Sequence, residues 1–400
     1  MRVLLMGYGS RGDVEPLAGL AVALRELGAE VRVCAPPDEE FARLLGRAGV
    51  PHVPFGPSVR ALVTRPDPTP QDAFKLAPEL VAAHFDTVGP AAEGCDVLVA
   101  SGLMPAGARS VAEKQGIRYV LACFQVFGLP SSRFPPLGRP GRPAPADADL
   151  RTLWKVDAER VNALYGEALN THRAALGLPP VDNVRDHVLT GRPWLAADPC
   201  LGPWQDRTDL DLVQTGAWIL PDHRPLPDDL AAFLDAGEPP VYVGFGSMAL
   251  RGAPDTARVA VEAVRAQGRR VLVGRGWADL VPGDGGADCL AVGEVNHQAL
   301  FRRVAAVVHH GGAGTTTAAA VAGAPQVVVA QIADQPCWAA RVAELGIGAA
   351  HDGPVPSVES LSAALATALA GETRTRAAAV AGEMRTDGAA TAARLLLAEA

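Results

Sequence analysis

Between an apolar run, Val304–Val308, and an alanine-rich one, Ala318–Ala322, the chain reads His309-His310-Gly311-Gly312-Ala313-Gly314-Thr315-Thr316-Thr317. That order admits few structures. It predicts a strand, a glycine loop and a helix, the unit from which open α/β sheets are built. Three glycines let backbone approach a ligand closely, and threonines at the helix start supply hydroxyl and amide donors. The unpaired N–H groups of a first helical turn, at the positive end of its dipole, make a seat for phosphate. His310, held among the glycines, adds a donor toward a diphosphate, whereas His309 is expected to end the strand and pack.

The remainder of the chain repeats this alternation. Val3–Met6, Val31–Val33, Val50–Phe55, Asp96–Ala100 and Tyr119–Cys123 read as strands. Helical patterns stand between them: one with Leu17, Leu20, Ala21 and Leu24 on one face, one over Asp38–Arg47 and one over Pro105–Gln115. A long helix is predicted over Leu150–Leu176. A second series runs through Val241–Phe245, Arg270–Val273, Leu290–Val292, Val304–Val308 and Gln326–Ala330. Leu220–Pro240, rich in proline and aspartate, separates the two. Four hundred residues exceed one ordinary core and suit two domains of roughly 150–200 residues each. The expected architecture is α/β, two doubly wound Rossmann-like domains facing across a cleft, with ligands at the carboxyl ends of the strands. The divisions are 1–219, a linker 220–240, a second domain 241–380, and a final helix 381–400 crossing back to the first.

Bulk properties exclude several classes. A net charge of −8 argues against nucleic acid as the main partner. Six scattered cysteines without a Cys-x-x-Cys pair imply neither a zinc site nor a disulfide framework. No apolar run has the length of a membrane span, and Met1–Gly7 reads as a strand opening into a turn, so a cytoplasmic enzyme without a membrane partner is expected. The pairs Asp147/Asp149 and Asp209/Asp211 have metal-like spacing but adjoin flexible or charged loops, and are read as solvated.

Gly7-Tyr8-Gly9-Ser10-Arg11-Gly12 matches a dinucleotide fingerprint after a strand. Yet the second strand ends in Cys34-Ala35-Pro36-Pro37 where a ribose-binding acid belongs, and Asp13 and Glu15 would repel a pyrophosphate. Asp13 has two other uses: a helix N-cap, or a base taking a proton from an acceptor hydroxyl.

Taken together, GSRGDVEP (Gly9–Pro16), GFGS (Gly244–Ser247), HHGGAGTT (His309–Thr316) and ADQP (Ala333–Pro336) resemble the bacterial family 1 glycosyltransferases of the GT-B fold. Within these the chain resembles the enzymes that glycosylate vancomycin- and teicoplanin-type heptapeptide aglycones. Supporting segments, among them PWLAADP (Pro193–Pro199), RGWADLV (Arg275–Val281) and GEVNHQALF (Gly293–Phe301), keep the family order along the whole chain. The resemblance implies an N-terminal acceptor domain and a C-terminal donor domain. It implies Asp13 as general base, and Ser10, Ser247, His310, Gly312, Gly314 and Thr315 around the donor diphosphate. Asp334 and Gln335 fall at the positions that contact the donor sugar, and Val295, His297 and Trp277 near the nucleotide base. Alternatively, Asp334 starts a helix as its cap, and Trp277 and Trp338 only fill space. Phe124, Phe127 and Phe134, in a proline-rich stretch, either stack on an aromatic acceptor or close a small local core.

A carboxylate and an amide grip vicinal hydroxyls through paired hydrogen bonds, which favours a hydroxyl-rich hexose over a deoxysugar; UDP-glucose or UDP-N-acetylglucosamine is the expected donor and a dTDP-deoxyaminosugar the alternative, the nucleotide base being left open. The expected partners are this donor and a peptide aglycone. The expected reaction is inverting and needs no metal or cofactor, and a monomer is expected. A UDP-sugar 2-epimerase, or a nucleotide-sugar binder without turnover, are the competing readings.

Overall fold

The computed structural model describes all residues except 66–68, 140, 142, 205–209, 249–254, 282–285 and 400. The chain divides into two compact units, 1–220 with 385–400, and 221–384.

The first unit carries a parallel sheet of strands β1 (Arg2–Tyr8), β2 (Glu30–Ala35), β3 (His52–Pro54), β4 (Val97–Gly102), β5 (Arg118–Cys123), β6 (Trp194–Leu195) and β7 (Val213–Gln214), in the order β3-β2-β1-β4-β5-β6-β7. β1 is apolar and buried from Val3 to Met6, the composition of a central strand covered on both faces. Helix Arg11–Glu26 lays Leu17, Leu20, Ala21 and Leu24 into the core beneath it. The last helix, Gly388–Ala398, adds Ala389, Ala392, Ala393 and Leu396 to the same core. Its entry is tight, since a Cβ on Gly388 would stand 2.4 Å from the Ala217 carbonyl oxygen. Glu399 closes it down through ion pairs with Arg118 and Arg192.

The second unit repeats the plan with β8 (Val241–Gly244), β9 (Val271–Gly274), β10 (Cys289–Val292), β11 (Ala306–His309), β12 (Gln326–Val328) and β13 (Gly348–Ala350), ordered β10-β9-β8-β11-β12-β13. All pairings are parallel. The connections wind outward in both directions from β8 and β11, so a crevice opens at their carboxyl ends.

Several readings need correction. The two-residue strands β6 and β7 and the three-residue β13 are too short to carry a periodic signal. Residues 220–240 are not all linker: helix Asp228–Asp235 buries Leu230 and Leu234 against the second sheet. Helices Val59–Val63 and Pro70–Ala83, for which no pattern was read, follow β3. Asp149 is the N-cap of the long helix Leu150–Ala175, and Asp209 lies outside the described residues.

Candidate active site

At the end of β11 the two histidines part. His309 is fully buried; its Nδ1 accepts from the Gly311 N–H at 3.0 Å, which leaves Nε2–H to donate to Gln326 Oε1 at 2.9 Å. Both nitrogens are satisfied and the ring is a packing residue. His310 is also buried, but among the described residues its Nδ1 has no hydrogen-bond partner. Burial pushes its pKa down to about 4, so the ring is neutral at pH 7. The ring is boxed between glycines: a Cβ on Gly312 would lie 2.5 Å from Nε2, and one on Gly246 3.0 Å from Cε1. Gly311, at φ +90°, turns the chain where any Cβ would also meet Val328 at 2.7 Å.

Helix Ala313–Ala322 starts directly after. Its N-cap is Gly312, with no side chain to take an amide, so the first-turn N–H groups of Ala313, Gly314 and Thr315 remain for an outside acceptor. Among the described residues beyond its own turn, nothing stands within 4 Å of a Cβ built on Gly314. Ser247 lies in the loop after β8, beside Gly246. Gly244, at the end of β8, serves another purpose: a Cβ there would stand 2.4 Å from the Tyr242 hydroxyl.

After β12 the chain reaches Ala333 at φ 56°, a strained angle for a residue with a side chain, and then helix Gln335–Glu344. Asp334 is the N-cap residue but makes no side-chain cap bond. Instead its Oδ2 accepts the Trp338 indole N–H at 2.7 Å. Burial raises the Asp334 pKa, and this hydrogen bond pulls it back. Gln335 is buried; its Oε1 accepts from the Gln331 and Ile332 amides at 2.8 and 3.1 Å, and its Nε2 lies 3.3 Å from Met248 Sδ. Trp338 and Met248 were not picked out by sequence pattern as acting on these residues. An Asp–Trp spacing of four on a helix start is the signal that would have found the first.

Toward β10, Asn296 caps helix His297–Leu300 and donates to the carbonyls of Asp222 and Arg224. Val295 is half-buried. His297 stacks on Phe301 at 4.6 Å and meets the Tyr242 hydroxyl at 3.3 Å, so its ring belongs to an aromatic cluster. Trp277 follows β9, its backbone N–H donating to the Gly246 carbonyl at 2.9 Å.

In the first unit, Ser10 is the N-cap of helix Arg11–Glu26 and accepts from the Gly12 N–H at 3.3 Å. Asp13 is therefore not the cap. It sits within the first turn, half-buried, with its carboxylate against Gly9. Phe124 packs edge-on to Trp218 and Phe127 edge-on to Phe134. Phe127 is buried, and a small local core is what its surroundings form. Near the same sheet end is a group no sequence pattern marked. His84, in the π-helical turn His84–Val88, is buried, its Nε2 has no hydrogen-bond partner among the described residues, and burial pushes its pKa down to about 3.

Two parallel-sheet units of this kind define the GT-B glycosyltransferases. Solved structures carry the likeness: the glycotransferase of kitacinnamycin superposes with a TM-score of 0.74, at 20% identity, over 100% of this chain and 98% of that one. The pattern of the family described as erythromycin biosynthesis protein CIII-like, C-terminal domain, matches residues 287–394. The vancomycin aglycone glucosyltransferase of Amycolatopsis orientalis is 59% identical over 99% of this chain and 97% of its own length. The dTDP-epi-vancosaminyltransferase of the same organism is 52% identical over 94% and 92%. The chain belongs to this family of bacterial glycopeptide glycosyltransferases, and it is an enzyme of that class. Among the described residues no helix is long and apolar enough to cross a membrane.

Proposed function

We propose that the protein transfers a hexose, glucose or N-acetylglucosamine, from a nucleotide diphosphate sugar to a hydroxyl of a glycopeptide heptapeptide aglycone, with inversion and without a metal or cofactor. The observation that carries the donor half is the unpartnered nitrogen of His310 beside the uncapped start of helix Ala313–Ala322. A buried polar atom without a partner is costly, and a phosphate oxygen would satisfy it. The 59% identity to a vancomycin aglycone glucosyltransferase supports the acceptor class and glucose as donor sugar.

In this reading Asp13 removes the acceptor proton as the hydroxyl oxygen attacks the anomeric carbon from the face opposite the diphosphate. A carboxylate of ordinary pKa about 4 is a weak base, but a phenol of pKa about 10 becomes acidic as its C–O bond forms. Charge gathering on the leaving diphosphate meets the amides of Ala313, Gly314 and Thr315, the helix dipole and the His310 ring. The dipole contributes up to ~2 kcal/mol in a partly buried site, and amide hydrogen bonds to an ionised group add to it. Asp334 accepts from sugar hydroxyls, and Ser247 reaches toward the phosphates. Val295 and Trp277 flank the base.

A mass-spectrometric transfer assay tests the whole reading. The protein is mixed with a vancomycin- or teicoplanin-type aglycone and, separately, with UDP-glucose, UDP-N-acetylglucosamine and a dTDP-deoxysugar. One added hexose or N-acetylhexosamine is the expected result. Transfer only from the dTDP donor, the activity named for the relative at 52% identity, would replace the hexose. No transfer with nucleotide binding intact would remove the glycopeptide acceptor.

A further inference from the structure

We propose that Trp338 is the positioning residue of the donor-sugar site, aiming the Asp334 carboxylate through its indole N–H. The inference rests on the reading of Asp334 as a sugar contact and goes beyond it by naming what holds that contact in place.

Three observations support this. Trp338 is buried to 1% exposure yet places its one polar atom 2.7 Å from Asp334 Oδ2. A buried indole N–H needs an acceptor, and here the acceptor is a carboxylate rather than a backbone carbonyl, which makes the bond of the strong, charge-assisted kind. Anchoring one oxygen fixes the plane of the carboxylate and hence the direction of the other. Secondly, Asp334 stands at a helix start without making a cap bond, immediately after Ala333 at φ 56°. The side chain has given up the local partner that its position offers, and the backbone before it is held in strain, as is common where a group is aimed at a ligand. Thirdly, Gln335 is not equivalent to Asp334. Its Oε1 already accepts two backbone amides, from Gln331 and Ile332, which uses both lone pairs. That amide staples the loop and has only N–H to offer. Asp334 is thus the acceptor of the pair, and its aim decides how hydroxyls are gripped.

The test is a double-mutant cycle on the full chain with Trp338→Phe and Asp334→Ala, using UDP-glucose, or the dTDP sugar if that is the one transferred. Trp338→Phe should raise the KM for the nucleotide sugar ~10-fold, the scale of one charge-assisted hydrogen bond. Turnover at saturation should stay within about twofold, and affinity for the bare nucleoside diphosphate should not change. In the Asp334→Ala background the same substitution should add nothing, which a purely structural role would not produce. If Trp338→Phe does not fold, the sulfur isostere benzothienylalanine at 338 keeps the ring volume and removes only the N–H. Equal losses for the nucleotide sugar and the bare nucleotide, or additive effects in the cycle, overturn the proposal. A defective Asp334→Ala beside an unaffected Trp338→Phe overturns it alone, leaving the sugar contact standing. An unaffected Asp334→Ala removes the sugar contact and this inference with it.

Discussion

Gly9→Ala tests the role of Asp13 without touching its chemistry. A Cβ built on Gly9 would stand 2.1 Å from Asp13 Oδ2 and 2.5 Å from Cγ, where ordinary contact begins at 3.4 Å. The carboxylate is the end of a movable side chain, so it must swing aside by more than ~1 Å while the helix stays. A misplacement of that size at a reacting group costs on the order of 100-fold in rate. Gly9 also has φ +153°, so the variant carries backbone strain of ~1–3 kcal/mol. Gly28→Ala is the control, because Gly28 sits at φ +84° and, among the described residues other than its chain neighbours, nothing lies within 4 Å of its Cβ. It suffers strain without displacing a side chain. Initial rates of transfer at saturating donor and acceptor, beside thermal unfolding, separate the two effects. Both variants should lose similar stability, and only Gly9→Ala should lose turnover, by ~100-fold, with donor KM unchanged. A Gly9→Ala enzyme turning over within twofold of the Gly28→Ala control would refute Asp13 as the general base.

Other expectations follow from the same geometry. Gly314→Ala places a methyl inside a helix where, among the described residues beyond its own turn, nothing lies within 4 Å. It should raise the melting temperature, since alanine is favoured over glycine there by up to ~1 kcal/mol, yet weaken nucleoside diphosphate binding at least ~10-fold in calorimetry if the phosphate sits over it. Phe127→Ala should cost ~3–5 kcal/mol in urea unfolding and leave the acceptor KM unchanged, because the ring is buried against Phe134. His84, His309 and His310 have folded pKa values of about 3, 3 and 4, all depressed by burial below the ordinary 6.5. The unfolded chain therefore binds their protons first. Their stabilising contribution is complete above pH 6.5 and is lost as pH falls toward 4, and denaturant melts at pH 7.5, 5.5 and 4.5 should show a steady fall. A flat profile over that range would contradict the burial of these rings.

The long elements were legible because each carries its own signal. The apolar run of Val3–Met6, the stripe of Leu17, Leu20 and Leu24, and the glycine loop after His309 all state their structure within a few residues. The helix Leu150–Ala175 emerged within a residue of its expected end. What failed was short or compensated. Strands of two or three residues such as β6, β7 and β13 exist only because a neighbouring strand pairs with them. The cap at Ser10 displaced Asp13 from a role its residue type suits equally well.

By itself the sequence determined the α/β alternation, the glycine loop between β11 and the helix after it and, through ordered motifs, the family. Those are properties of residue type and spacing, and no distant contact can change them. Tertiary structure decided which of two adjacent histidines is satisfied and which is left wanting a partner. It decided that the Gln335 carbonyl faces its own loop, and that a tryptophan four residues downstream holds Asp334. Each of these depends on partners brought from another strand, turn or helix: His309 closes β11 and meets Gln326 of the neighbouring strand, whereas His310 lies in the loop beyond it, boxed between Gly246 and Gly312.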